Sequence, residues 1–196
     1  MPSPHTELSY DTPFHLLVAV ILSAQCTDKR VNMVTPALFS AYPDASDLAL
    51  AQPEDLIPYI GSVTFPNAKS RHIVKAARMI VDDFGGEVPS EIDSLMKLPG
   101  VGRKTANVML AVVWNKAAMA VDTHVFRVSN RLGLTRDSKT PLATEKTLCK
   151  YIPEELISTA HHWLILHGRY VCKARKPDCL NCYLTPWCLH FRKAPK

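Results

Sequence analysis

The chain contains no long hydrophobic run. Its most continuous apolar stretch, Phe14 to Ala24, is broken by His15 and Ser23 and covers 11 residues, whereas a membrane-spanning helix needs about 20. No membrane association is expected, and the stretch reads as a buried helix. A secretory signal is also missing, since Met1 to Leu8 are polar and proline-rich. The cysteines are therefore expected in a reducing compartment, where thiols stay available for metal. No segment alternates apolar and polar residues between turns, so no strand is expected. Internal repeats and low-complexity linkers are lacking too, which points to two closely packed helical lobes. Acidic residues are nearly absent from the last stretch: Arg169, Lys173, Arg175, Lys176, Arg192, Lys193 and Lys196 face Asp178 alone. That segment carries +6 of a formal net charge of +5, leaving −1 for the remainder. A solvated tail is the bland reading; a polyanion partner, most commonly nucleic-acid phosphate, is the functional one.

What is present, in 196 residues that are 47% hydrophobic and 21% charged, is ordinary globular composition with repeated helix punctuation. Asp11-Thr12-Pro13 starts a helix through Leu22, and Asp28 is placed to cap a second one with the apolar face Val31, Val34, Leu38. Pro53-Glu54-Asp55 opens a short one. Ile73, Ala76, Ala77, Ile80 and Phe84 recur at helical spacing, with Lys69, Arg71, Lys75 and Arg78 assigned to the polar face and Gly85-Gly86 as the stop. Further helices are expected from Pro89-Ser90 through Lys97, from Arg103 to Val113, from Asp122 to Leu132, from Thr140-Pro141, and from Pro153 to about Tyr170. The fold class is all-α.

Cys172, Cys179, Cys182 and Cys188 form a C-x6-C-x2-C-x5-C run. Four thiols so close together suit a metal site. Structural zinc sites tend to use two short C-x2–4-C knuckles, and this run has only one, which favours an iron–sulfur cluster while leaving zinc and disulfides as alternatives. Cys26 and Cys149 lie outside the run and read as buried small residues. His124, His161, His162 and His167 read as packing or hydrogen-bonding groups beside it.

Between two expected helices lies Leu98-Pro99-Gly100-Val101-Gly102-Arg103-Lys104. Glycines two apart permit a sharp turn, and the amides that open the next helix, with its dipole, make an anion site of phosphate size. An ordinary helix–helix turn is the competing reading; Arg103 and Lys104 shift the balance toward phosphate. Alone, Lys104 is a solvated lysine and Asp122 an N-cap. Their joint occurrence across one helix suggests a cleft.

Together with Leu22 to Asp28, Val121 to Val128 and His161 to Arg169, these segments resemble the bacterial endonuclease III family of helix-hairpin-helix DNA glycosylases, in order and over essentially the whole chain. The resemblance implies a six-helix barrel lobe with the helix-hairpin-helix, here 7–116, an iron–sulfur cluster lobe, here 117–196, and an active site in the cleft between them. It implies base-excision repair: removal of oxidised pyrimidines from duplex DNA, then strand nicking at the abasic site. Lys104 matches the nucleophile and Asp122 the catalytic aspartate, with the lysine expected in a dry pocket that favours its neutral form. Gln25 matches the residue that fills the gap left by the extruded nucleotide. Phe65 falls at the second wedge position, where the family has leucine, and Pro66 is expected to stiffen that loop. Gly100, Val101, Gly102 and Arg103 would bind the DNA backbone, as would Lys173, Arg175 and Lys176. The four cysteines would hold a [4Fe–4S] cluster with a positioning role. The family's first helix is expected to be missing ahead of Pro4 and His5. The partner implied is duplex DNA bearing damaged pyrimidines or abasic sites, bound by a cytoplasmic, nucleoid-associated monomer.

Two other functions compete. A monofunctional mismatch or adenine glycosylase of the same superfamily normally lacks the lysine and has a further C-terminal domain, so Lys104 and the end at Lys196 argue against it. A non-catalytic iron–sulfur DNA-binding module needs only the hairpin and basic loop, so Gln25, Lys104 and Asp122 together disfavour it.

Overall fold

The computed structural model describes residues 6–136 and 138–193. Helices account for the regular structure, and no strand occurs among the described residues. The readings that involve Met1 to His5 and Lys196 lie outside the described residues. No described helix is long and apolar enough to cross a membrane. The chain divides into two compact units, with the break between Trp114 and Asn115; the sequence placed that boundary between 116 and 117.

In the unit from Thr6 to Trp114, α1 (Pro13–Ser23) is buried from Phe14 to Leu22 without a polar face. It can be apolar all round because α2 (Asp28–Ala41), α5 (Pro66–Phe84) and α7 (Arg103–Val113) pack against it. Thr12 caps it, accepting from the His15 amide. The cap of α2 is Thr27, which accepts from Arg30 N; Asp28 is the first helical residue, so its expected capping role passes to the residue before it. A short helix unforeseen in the sequence, α3 (Ala45–Leu50), starts at Asp44, whose Oδ1 accepts from the Ser46 and Asp47 amides. Arg78 of α5 closes its other end by donating to the Ala49 and Ala51 carbonyls. A 3-10 turn (Pro53–Leu56) and α4 (Ile57–Ile60) then lead to α5, which ends at Gly85 in the left-handed region, φ 64°. The expected helix from Pro89 to Lys97 shrinks to α6 (Ile92–Leu95). Beyond it, Lys97 N and Leu98 N bond to carbonyls three residues back, a tight turn that brings the chain to Pro99.

In the unit that starts at Asn115, α8 (Thr123–Leu132), α9 (Pro141–Tyr151) and α10 (Ile157–Tyr170) enclose Met119, Val121, Val125, Val128, Leu148, Ile157, Ala160 and Leu164. A 3-10 turn (Glu154–Leu156) precedes α10, so that helix begins later than Pro153 suggested. A final helix, α11 (Leu189–Lys193), was not expected. Cys26 and Cys149 are half-buried rather than buried.

Helices α8 and α10 meet at Gly168, where an added Cβ would lie 2.8 Å from His124 Cβ and 3.1 Å from Val128 Cγ2. The nearer obstacle is the stiff root of a side chain, so the helices would have to part. Gly168→Ala gains about 1 kcal/mol of helix propensity, yet the overpacking should lower stability by a net 1–3 kcal/mol or so. Urea unfolding checks this, and a stabilised variant would contradict the close approach.

Candidate active site

The turn before α7 needs glycine at one position for two reasons. Gly100 has φ 83°, and a Cβ there would sit 2.9 Å from His72 Cβ. Gly102 differs: its φ is −92° and its surroundings are open, so it serves as a bare N-cap for α7 and leaves the helix mouth uncovered. Leu98 and Val101 anchor the turn in the core, and Val101 N bonds to Leu98 O at 3.0 Å. Arg103 and Lys104 then fall in the first turn of α7, both exposed.

Gln25 and Phe65 share an unusual conformation. Both have left-handed backbone, φ 55° and 54°, and both are exposed, Phe65 to 62%. Gln25 follows the C-cap of α1, and Phe65 is the N-cap residue of α5. Pro66 occupies the first helical position, where a fixed φ is favourable and no amide is needed; it begins a helix rather than stiffening a loop. Below these two residues Lys69, assigned to the polar face of α5 in the sequence, is buried at 5% exposure. The signal for it was available: Lys69 lies in register with Ile73, Ala76, Ala77 and Ile80.

Asp122, half-buried, is the N-cap of α8 and accepts from His124 N and Val125 N, both at 2.8 Å and both through Oδ1. One turn and two turns on, Arg127 and Arg131 reach the cysteine loop. Arg127 donates to Cys172 O and Gly168 O, and Arg131 to Lys173 O at 2.7 Å and Ala174 O at 3.0 Å. These two arginines received no role from the sequence, although their spacing of four on the helix opened by Asp122 was visible. They hold the backbone of a loop whose Lys173, Arg175 and Lys176 side chains are exposed.

The four cysteines of the run are unpaired thiols, each half-buried, lining one small pocket with Leu132, Val171 and Phe191. Cys172 Sγ lies 3.5 Å from Arg131 Nη1, Cys182 Sγ 3.8 Å from His167 Nε2, and Cys188 Sγ donates to Arg131 O. Burial, then the neighbouring Cys172, Cys182 and Cys188, push the Cys179 thiol above the ordinary cysteine range, with Arg131 pulling it back. Burial also holds His167 below the usual histidine range. Among the described residues, no three His, Cys, Asp or Glu groups converge on a point that would hold a single ion.

The sequence matches the HhH-GPD superfamily of base excision DNA repair proteins over residues 18–154. It is 49% identical to the endonuclease III of Rickettsia felis, over 97% of this chain and 89% of that protein. To the endonuclease III of Bacillus subtilis it is 48% identical, over 100% of this chain and 89% of that one. A solved structure of a trapped endonuclease III–DNA covalent intermediate, an estranged-adenine complex, superimposes with a TM-score of 0.93 at 49% identity, covering 98% of this chain and 90% of that chain. With the glycine turn, the capping aspartate and the cysteine loop in place, the chain belongs to the endonuclease III family of HhH-GPD base excision repair enzymes.

Proposed function

We propose that the chain excises oxidised pyrimidines from duplex DNA and cleaves the strand at the abasic site that results, with Lys104 as nucleophile and Asp122 as the catalytic carboxylate. The observation that supports this most is Lys104 itself: a primary amine presented on an exposed first helical turn, directly after a turn that glycine alone can make. An amine adds to C1′ of the deoxyribose as the base leaves and loses a proton; its lone pair then breaks the C1′–O4′ bond, O4′ takes up a proton, and the opened sugar is held as a protonated imine. The imine acidifies the C2′ protons. Removal of one lets the electrons expel the 3′ phosphate oxygen, which breaks the strand. A hydroxyl or carboxylate cannot form that imine. Lys104 is exposed in the free chain, and a bound duplex would help to exclude water around it.

Gly100, Val101, Gly102 and Arg103 would engage phosphate through the mouth of α7, and Lys173, Arg175 and Lys176 through the exposed loop, contacts that position the duplex without reading its sequence. Gln25 and Phe65 would enter the space vacated by the extruded nucleotide. For the cysteine pocket we favour a [4Fe–4S] cluster over zinc. The run has one C-x2-C pair flanked by wider gaps, whereas structural zinc sites tend to use two short knuckles. The cluster would supply a rigid anchor for the basic loop. A monomer acting on cytoplasmic, nucleoid-bound DNA completes the reading.

Borohydride trapping tests it. The protein, incubated with a duplex containing one thymine glycol or one abasic site, should form a covalent adduct when the imine is reduced. No adduct on either duplex would favour the monofunctional or non-catalytic alternatives.

A further inference from the structure

Lys69 sits where an ammonium is unfavourable, on the buried stripe of α5. Its partners are oxygen dipoles. Nζ donates to Leu22 O and Ala24 O, each at 2.7 Å, and to Thr64 Oγ1 at 3.1 Å. Three acceptors match the three protons of an ammonium. The two carbonyls are those of the last turn and C-cap of α1, where the helix dipole is negative, so Lys69 closes the end of α1 from another helix. Burial pulls this lysine below the usual range, with Cys26 pushing it back up. Thr64 Oγ1 extends the network by donating to Gln25 O at 3.0 Å, with Ala24 O next at 3.3 Å.

The positions of these bonds are informative. Ala24 directly precedes Gln25 and Thr64 directly precedes Phe65, two of the four exposed non-glycine residues with left-handed backbone among the described residues, the others being Asn115 and Lys176. That conformation is disfavoured for any residue with a Cβ and persists only where the surroundings over-determine it. Lys69 from the buried side and the exposed Thr64 through its hydroxyl supply that determination, and both wedge residues stay exposed.

Building on the reading that Gln25 and Phe65 fill the gap left by an extruded nucleotide, we propose that Lys69 and Thr64 form a positioning clamp for base extrusion, locking the two wedge segments to each other through the end of α1. Lys69 and Thr64 act through Gln25 and Phe65. The clamp therefore matters most when a paired base must be pulled from the stack, and less at an abasic site, where no base remains to be unpaired.

Single-turnover kinetics on two duplexes separate the steps: one carries a thymine glycol opposite adenine, the other a preformed abasic site. Thr64→Val removes the hydroxyl at an exposed position, and Lys69→Met removes the charge at matched length. Both should slow excision of the paired base by about ten- to a hundredfold, as expected when reacting groups are misplaced by an ångström, and should slow abasic-site nicking far less. A 2-aminopurine beside the lesion should brighten less in both variants, which reports incomplete extrusion. Equal losses on the two duplexes would mean a general structural role and would overturn the clamp, as would unchanged excision in Thr64→Val. Gln25→Ala and Phe65→Ala are the reference. If they slow excision while Thr64→Val does not, the clamp alone falls; if they change nothing, the wedge reading falls and the clamp with it. Should Lys69→Met fail to fold, Thr64→Val decides by itself.

Discussion

Lys104→Ala is expected to slow strand nicking at a preformed abasic site by about a thousandfold or more, since the covalent bond proposed to carry the reaction can no longer form. The same variant should yield no borohydride adduct. Its stability should be close to that of the parent protein, because Lys104 is exposed in the first turn of α7 and alanine is a good helix former. Duplex binding should also survive, because the turn at Gly100 and the exposed basic loop, the proposed phosphate contacts, are untouched. Nicking and trapping, measured beside fluorescence-anisotropy binding, distinguish a lost nucleophile from a lost protein. An unchanged nicking rate would remove Lys104 from its assigned role.

Asp122 caps α8 and is proposed to act as the catalytic carboxylate, and two substitutions separate these roles. Its Oδ1 caps α8 through two amides, so truncation leaves those donors without their partner. Asp122→Ala should therefore destabilise the protein by about 1 kcal/mol, whereas Asp122→Asn, which caps almost equally well, should leave stability nearly unchanged. Both remove the negative charge that would stabilise positive charge developing on the sugar, and both should slow base excision by about 10² to 10³. Thermal unfolding and single-turnover excision, read side by side, give a two-by-two outcome. An Asp122→Asn protein with full activity would make the residue a helix cap and nothing more.

The difference between Lys104 and Lys69 shows why some of the site was legible beforehand. Lys104 was singled out because it follows the glycine turn and pairs with Asp122 across one helix within segments that resemble a known family, and Gly100 indeed has a positive φ and a Cβ-excluding neighbour. Lys69 was assigned to the polar face of α5 although its register with Ile73 and Ile80 was visible; its partners were not. Its burial depends on three acceptors, two from the end of α1 and one from Thr64, which lie 47, 45 and 5 residues away in the chain. The same holds for Arg127 and Arg131: the sequence shows two arginines on one helix, and only the folded chain shows that the carbonyls of Cys172, Lys173 and Ala174 come to meet them. Among the helices, α1, α7 and α8 were foreseen with their ends because caps, proline and glycine act within a few residues. The short helices α3 and α11 were missed because too few turns exist for a hydrophobic period to register.

By itself, then, the sequence determined the helical class, the order of the helices, the sharp turn at Gly100, the cysteine spacing and the kinship with endonuclease III. Each of these depends on neighbours a few residues apart or on residue types in a set order. The tertiary structure decided which carbonyls Lys69 bonds, that Gln25 and Phe65 stand out on left-handed backbone, that Lys104 is exposed, and that four thiols line one pocket held by arginines of α8. Burial and hydrogen-bond partnership are properties of distant segments brought together, and no local pattern encodes which carbonyl a lysine will find.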